Sequence, residues 1–161
     1  SMHHLRGARL DPVCAYATVG LSNPATLRFE PDGTHEGTGV PERVGTVNIV
    51  VGTTQSLTDG AQANLVSVVT EATTATLLDL AEITGTTTDA VVVGSATDGE
   101  ETQFTGSATE VGAAARACVR EALRASFEAR YTDNEPPESV AAARHGVVTD
   151  QRATTFNPHN D

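Results

Sequence analysis

Glu71 follows Asn64 by seven residues, which puts the acid and the amide on one face of any helix that spans them, beside an apolar stripe. A carboxylate there is partly withdrawn from water and poised to pass protons; the competing reading is a solvated boundary acid or one paired to an arginine. A second carboxylate, Asp89, closes the run "TGTTTDAVVV", in which Thr84, Thr86, Thr87 and Thr88 crowd the entrance to a strand. Hydroxyls and N–H groups there could hold a polar substrate, with Asp89 as acid, base or anchor, although turn chemistry alone also selects Gly and Thr. Asn48, set between apolar residues of "GTVNIVV", is expected inside a sheet, either gripping a substrate amide or locking neighbouring backbone. Ser22 and Asn23 in "GLSNPA" offer a nucleophile or a ligand-holding turn, and Asn-Pro by itself is ordinarily a turn. Gly106 and Ser107 stand at the start of a helix, where free N–H groups attract anions or carbonyl oxygens; capping alone also accounts for them. His3, His4, His35, His145 and His159 are scattered over loops and tails, so no metal site is expected. HExxH, GxSxG, P-loop and GxGxxG patterns are all missing, which leaves any chemistry to these dispersed polar groups.

The elements that must position them follow from periodicity. "DPVCAYATVGL" alternates Val13, Ala15, Ala17 and Val19 against Cys14, Tyr16 and Thr18, the pattern of a strand that "SNP" ends. Glycines and prolines then mark residues 28–43 as an exposed loop or hairpin tip. In "GTVNIVVGTT", Val47, Ile49 and Val51 line one face of a second, central strand and Thr46, Asn48 and Val50 the other. Thr58 and Asp59 open a helix reaching about Ile83, with Ala61, Leu65, Val68, Val69, Ala72, Thr76 and Leu80 as its buried stripe. "TDAVVVG" reads as a third strand, apolar enough for burial on both faces. "SATE", Ser107 to Glu110, fits a capping box for a helix to about Arg130 that buries Val111, Ala115, Cys118, Val119 and Ala122 and exposes Arg116, Arg120 and Arg124, with Glu128 set to pair with Arg124. The remaining tail holds at most one short helix and one extended piece. The order β-loop-β-α-β-α predicts a single-domain α/β sandwich with helices packed on a β-sheet.

Composition narrows the setting. All ten basic residues are arginine, against twenty-one acids and a net charge of −11. Such a surface repels itself in dilute buffer, whereas at molar salt the Debye length is about 3 Å and the repulsion is screened. Adaptation to a salt-rich cytoplasm is therefore expected, and a nucleic-acid or anionic-membrane partner is not. The 161 residues suit one domain. Cys14 and Cys118 lack metal or disulfide spacing and read as small buried groups. No apolar run approaches the roughly 18 residues of a membrane span and no signal-like segment opens the chain, so a cytoplasmic location is expected, with homo-oligomerisation left open.

Taken together, "GLSNPA", "GTVNIVV", "TEATTATLLDL", "TGTTTDAVVV" and "FTGSATEVG" stand in an order and spacing that resembles the adenosylcobinamide amidohydrolase (CbiZ) family from Met2 through Arg130. The tail "PPESVAAARHGVVTDQRAT" is similar to that of members from salt-loving archaea. The resemblance implies hydrolysis of the amide joining aminopropanol to adenosylcobinamide, which releases adenosylcobyric acid for corrinoid salvage. The corrinoid is then substrate and partner, and no cofactor is implied. For this reaction Glu71 or Asp89 is expected to be the general base, while Ser22, Asn23, Asn48, Thr88 and the N–H groups around Ser107 hold the substrate amide or its oxyanion. Thr73 stands where family members often carry lysine, a change read as one at the surface. The family pattern also extends upstream of Ser1, so residues 1–131 are expected to form an N-terminally incomplete family domain and 132–161 an irregular tail. Two rivals are a corrinoid-binding module without catalysis and an amidase of the N-terminal-nucleophile kind.

Overall fold

The computed structural model describes residues 2–33 and 45–158. In chain order its elements are a 3-10 turn (Met2–His4), β1 (Arg6–Leu10), β2 (Val13–Thr18), β3 (Pro24–Leu27), β4 (Asn48–Thr53), β5 (Ser56–Leu57), α1 (Asp59–Ala81), β6 (Gly85–Thr86), β7 (Ala90–Ser95), β8 (Glu101–Thr102), α2 (Glu110–Arg130) and β9 (Val147–Thr149). The loop expected over 28–43 lies, from residue 34 onward, outside the described residues, as do His35 and His159.

The alternation in "VCAYAT" is realised as β2, with Val13, Ala15 and Ala17 buried. On one side β2 pairs antiparallel with β1, an element the sequence reading did not include. On the other it pairs antiparallel with β4, which in turn runs parallel to β7, so the sheet has the order β1-β2-β4-β7 with β4 inside it, as expected. Both helices pack on one face, α2 against β1 and β2 and α1 against β7, where Ile49 and Val51 meet Leu65 and Val69 of α1 and Val119 and Leu123 of α2 in one core. This is the expected α/β sandwich of helices on a sheet.

Among the described residues, no α-helix covers the opposite face. Register places Tyr16, Val50 and Val92 side by side on it, 45%, 48% and 55% exposed. Two expectations are thereby corrected. β7 is not buried on both faces: among the described residues it lies at the sheet edge, and its residues alternate between exposed and half-buried. Asn48 is not interior either, because its side of β4 faces outward.

α1 begins as read from sequence, with the Thr58 hydroxyl accepting from Ala61 N at 3.3 Å, and it ends two residues early, where Glu82 takes a left-handed φ of 54°. The expected stripe is buried from Ala61 to Thr76, while Leu77 supersedes the half-buried Leu80. Thr73 is buried too, its hydroxyl donating to Val69 O at 2.7 Å, so it does not lie at the surface. The cap of α2 is Thr109, which accepts from Gly112 N at 3.0 Å. Ser107 is exposed within the preceding turn, closed by Thr109 N donating to Gly106 O at 2.8 Å, and the Ser107–Glu110 capping box does not form. Gly112 permits this turn, since a Cβ there would fall 2.1 Å from Gly106 O.

Arg116 reaches Glu71 at 3.4 Å and Arg124 reaches Asp79 at 2.8 Å. Pairing in the same chain direction shows that α1 and α2 run parallel; it also replaces the expected Arg124–Glu128 pair. Exposed pairs of this kind are worth about 0–1 kcal/mol, so the apolar seam, not the ion pairs, holds the helices together. The extended piece of the tail is β9, which lies parallel to β3 while β6 flanks β3 on its other side.

Candidate active site

Beyond Thr18 the chain leaves the sheet ladder, and the next three N–H groups go to three different partners. Val19 N donates to Ser126 Oγ at 3.0 Å, Gly20 N to Thr46 O at 3.1 Å and Leu21 N to Tyr131 Oη at 3.0 Å. Ser126, wholly buried on α2, passes its own proton to His4 O at 2.7 Å. The last turn of α2 thus fixes the path by which the chain enters Ser22 and Asn23.

Across from this segment lies the turn that precedes β7. Asp89 closes it: Oδ2 accepts from Thr86 N at 2.8 Å, and Oδ1 accepts from the Thr86 hydroxyl and from Val47 N at 3.2 Å. The carboxylate therefore ties the threonine run to the start of β4.

Asn23 joins the two sides. Thr87 N donates to its backbone oxygen at 3.2 Å, and its Nδ2 donates to Thr87 Oγ1 at 2.6 Å and Thr88 Oγ1 at 3.4 Å. Thr88 Oγ1 donates onward to Gly45 O at 3.3 Å, Thr46 Oγ1 donates to Thr88 O at 2.6 Å, and Gly45 N donates to Ser22 Oγ. Ser22, Asn23, Thr88 and Asp89 are thus brought together. Gly45 is required at this crossing because a Cβ would sit 2.6 Å from Ser22 Oγ and 2.8 Å from Gly20 O. Asn23 is fully buried, yet among the described residues its Oδ1 has no hydrogen-bond partner, a deficit worth about 1–3 kcal/mol.

Asn48 lies next to this cluster along the open sheet face, where its Nδ2 donates to Thr18 Oγ1 at 3.0 Å. The pair borders a groove of about 560 Å³ lined also by Met2, Leu5, Tyr16 and Val50. Gly52 and Gly94, opposite each other farther along, keep that face low.

The other two predicted site residues lie elsewhere. Glu71 sits on the outer side of the helix layer, its side chain 61% exposed and facing Arg116, so the partial desolvation expected for it is not found. Its helix neighbour Asn64 instead turns inward and accepts from Thr105 N at 3.0 Å. Ser107 precedes the far end of the 21-residue α2, roughly 30 Å from the Tyr131 end that holds Leu21. Among the described residues no three His, Cys, Asp or Glu side chains gather as a metal ion would need.

Sequence reasoning did not single out Ser126, Tyr131 or Gly45. Ser126 had a signal: it follows Ala122 by four residues on the buried stripe of α2, a polar residue at a core position.

The family model for adenosylcobinamide amidohydrolase matches residues 1–135. A curated relative, adenosylcobinamide amidohydrolase from Halobacterium salinarum (strain ATCC 700922 / JCM 11081 / NRC-1), is 51% identical over 158 residues, which span 98% of this chain and 68% of the relative. No solved structure matches the chain. With most of the chain covered by the family model and half of its residues shared with this relative, the chain belongs to the adenosylcobinamide amidohydrolase family.

Proposed function

We infer that the chain hydrolyses the amide that links aminopropanol to adenosylcobinamide, giving adenosylcobyric acid and the free amine. Family membership carries the reaction. The observation that supports a site for it here is continuity: an open sheet face, apolar at Tyr16, Val50 and Val92, runs through Thr18 and Asn48 into the cluster formed by Ser22, Asn23, Thr88 and Asp89. The broad, largely apolar corrin ring lies on that face in this reading, with Asn48 and Thr18 meeting a rim amide and the aminopropanol arm reaching the threonine turn.

Asp89 is the carboxylate assigned to the chemistry. Its Oδ1 takes two donors and its Oδ2 takes one, which leaves an Oδ2 lone pair for a water molecule. Water attacks the amide carbon while its proton passes to Oδ2; the tetrahedral oxygen takes hydrogen bonds from nearby hydroxyls; the C–N bond then breaks and the departing nitrogen receives the proton from Asp89. Glu71 and Ser107 have no part in this scheme, since neither reaches the cluster. The corrinoid enters as substrate, and the step as written needs no resident cofactor.

The lysine-free acidic surface supports work in a salt-rich cytoplasm and argues against a nucleic-acid partner. Among the described residues no helix is long and apolar enough to cross a membrane. The test is aminopropanol release from adenosylcobinamide by the purified chain in molar salt. Release establishes the hydrolase; retention of the corrinoid without release favours a binding module.

A further inference from the structure

Thr87 is held in a way that, among the described residues, leaves one of its hydrogen-bonding functions unused. Its Oγ1 accepts from Asn23 Nδ2 at 2.6 Å, and its backbone N donates to Asn23 O at 3.2 Å, so residue and hydroxyl are both located by one buried side chain and its backbone. The residue is exposed, and among the described residues its hydroxyl proton has no acceptor. Thr88 differs, because its proton goes to Gly45 O.

The orientation of the Asn23 amide follows from that difference. Turned over, the amide oxygen would take the Thr87 proton but face the Thr88 oxygen acceptor to acceptor, because Thr88 has already given its proton to Gly45 O. The NH2 group therefore faces the two threonines, and among the described residues the buried Oδ1 is left without a partner. What sets the amide is thus what its NH2 must do, not complete pairing of its own atoms.

We propose that Thr87 is the hydroxyl that donates to the amide oxygen of the substrate as it becomes an oxyanion, and that Asn23 is the positioning residue that turns the Thr87 proton outward. The inference rests on the amidohydrolase reading and adds a residue to it. An O–H whose oxygen is pinned by a buried N–H cannot turn its proton inward without meeting another proton, so it is aimed before substrate arrives.

The test compares Thr87→Val, which keeps shape and loses the hydroxyl, with Thr87→Ser, which keeps the hydroxyl, in aminopropanol release from adenosylcobinamide by the whole chain in molar salt. Thr87→Val is expected to lower kcat by about 10²–10³-fold with KM within about twofold, and Thr87→Ser to stay within about tenfold of the parent. Asn23→Asp places an acceptor where the NH2 stood and draws the Thr87 proton inward, so it is expected to lose kcat as well, and Thr87→Val in that background is expected to add less than threefold. A parent chain that turns over while Thr87→Val matches it would overturn this assignment alone. A silent parent would overturn the amidohydrolase reading and the assignment with it. Equal losses in Thr87→Ser and Thr87→Val would reduce Thr87 to a packing residue and also overturn it, and this comparison stands even if Asn23→Asp fails to fold.

Discussion

The Ser126 hydroxyl on α2 accepts from Val19 N at 3.0 Å, joining the last turns of a helix to the end of a strand 107 residues earlier. Because Ser126 also donates to His4 O, one buried oxygen fixes two N-terminal segments at once. Ser126→Ala leaves a buried N–H and a carbonyl without their partner and is expected to cost about 1–3 kcal/mol, read from the urea midpoint in molar salt. Tyr131→Phe, which strands only Leu21 N, should cost less than Ser126→Ala. A serine variant as stable as the parent would show that this bond does not hold the Val19–Leu21 path.

The two carboxylates singled out by sequence are separated by their surroundings. Glu71→Gln removes one exposed ion pair with Arg116 and should leave turnover within about twofold and stability within about 0.5 kcal/mol. Asp89→Asn should lower kcat by about 10²-fold or more, since the amide cannot take the proton from water. Steady-state rates for both variants, measured side by side, decide between the acids; a larger loss in Glu71→Gln would return the chemistry to the helix layer.

Gly45 sits where Gly20 and Ser22 cross. An alanine methyl would stand 2.8 Å from Gly20 O, an approach that a backbone oxygen cannot relieve by changing rotamer. Gly45→Ala should therefore displace the Ser22–Asn23 segment, lowering the thermal midpoint and turnover together. Gly60→Ala, at a position where nothing lies within 4 Å, is the control and should leave turnover unchanged.

Burial pushes the Cys118 thiol above its ordinary value. The folded state thus holds the proton to higher pH than the unfolded chain does. Below the free-thiol range both states are protonated and the stabilisation is complete; as pH rises past it, the unfolded chain ionises first and stability falls. Urea midpoints followed from neutral pH to about pH 10 should decline, and Cys118→Ala should decline less steeply. Parallel slopes would assign the decline to other groups.

What the sequence disclosed was governed by local periodicity. Both helices were legible because Leu65, Val69 and Ala72, and likewise Ala115, Val119 and Ala122, recur at helical spacing, and β2 and β4 because single residues alternate. β1 was not, since "RGARL" has little of a strand's composition and is held by pairing with β2. The triple valine of β7 suggested burial on both faces, but layering is a property of the whole molecule: with both helices on one side, Val92 and Asn48 turn outward on the other. The capping box failed for a similar reason, because Ser107 and Thr109 both match helix-start chemistry and the turn closed by Gly106 O selects the second. Within the site, the grouping of Ser22, Asn23, Thr88 and Asp89 depended on hydrogen bonds between distant segments, which no local pattern encodes.

The parallel register of Ala25–Leu27 with Val147–Thr149 gives the protein a schedule as well as a shape. On the ribosome, the strand that follows Asn23 emerges well over a hundred residues before its β9 partner. A nascent chain released as far as α2 can already seat both helices on the four-stranded sheet while β3 keeps one bare edge. The threonine turn is then bordered by an unfinished sheet, and Val147–Thr149 act as the closing stitch that seals the free edge of β3.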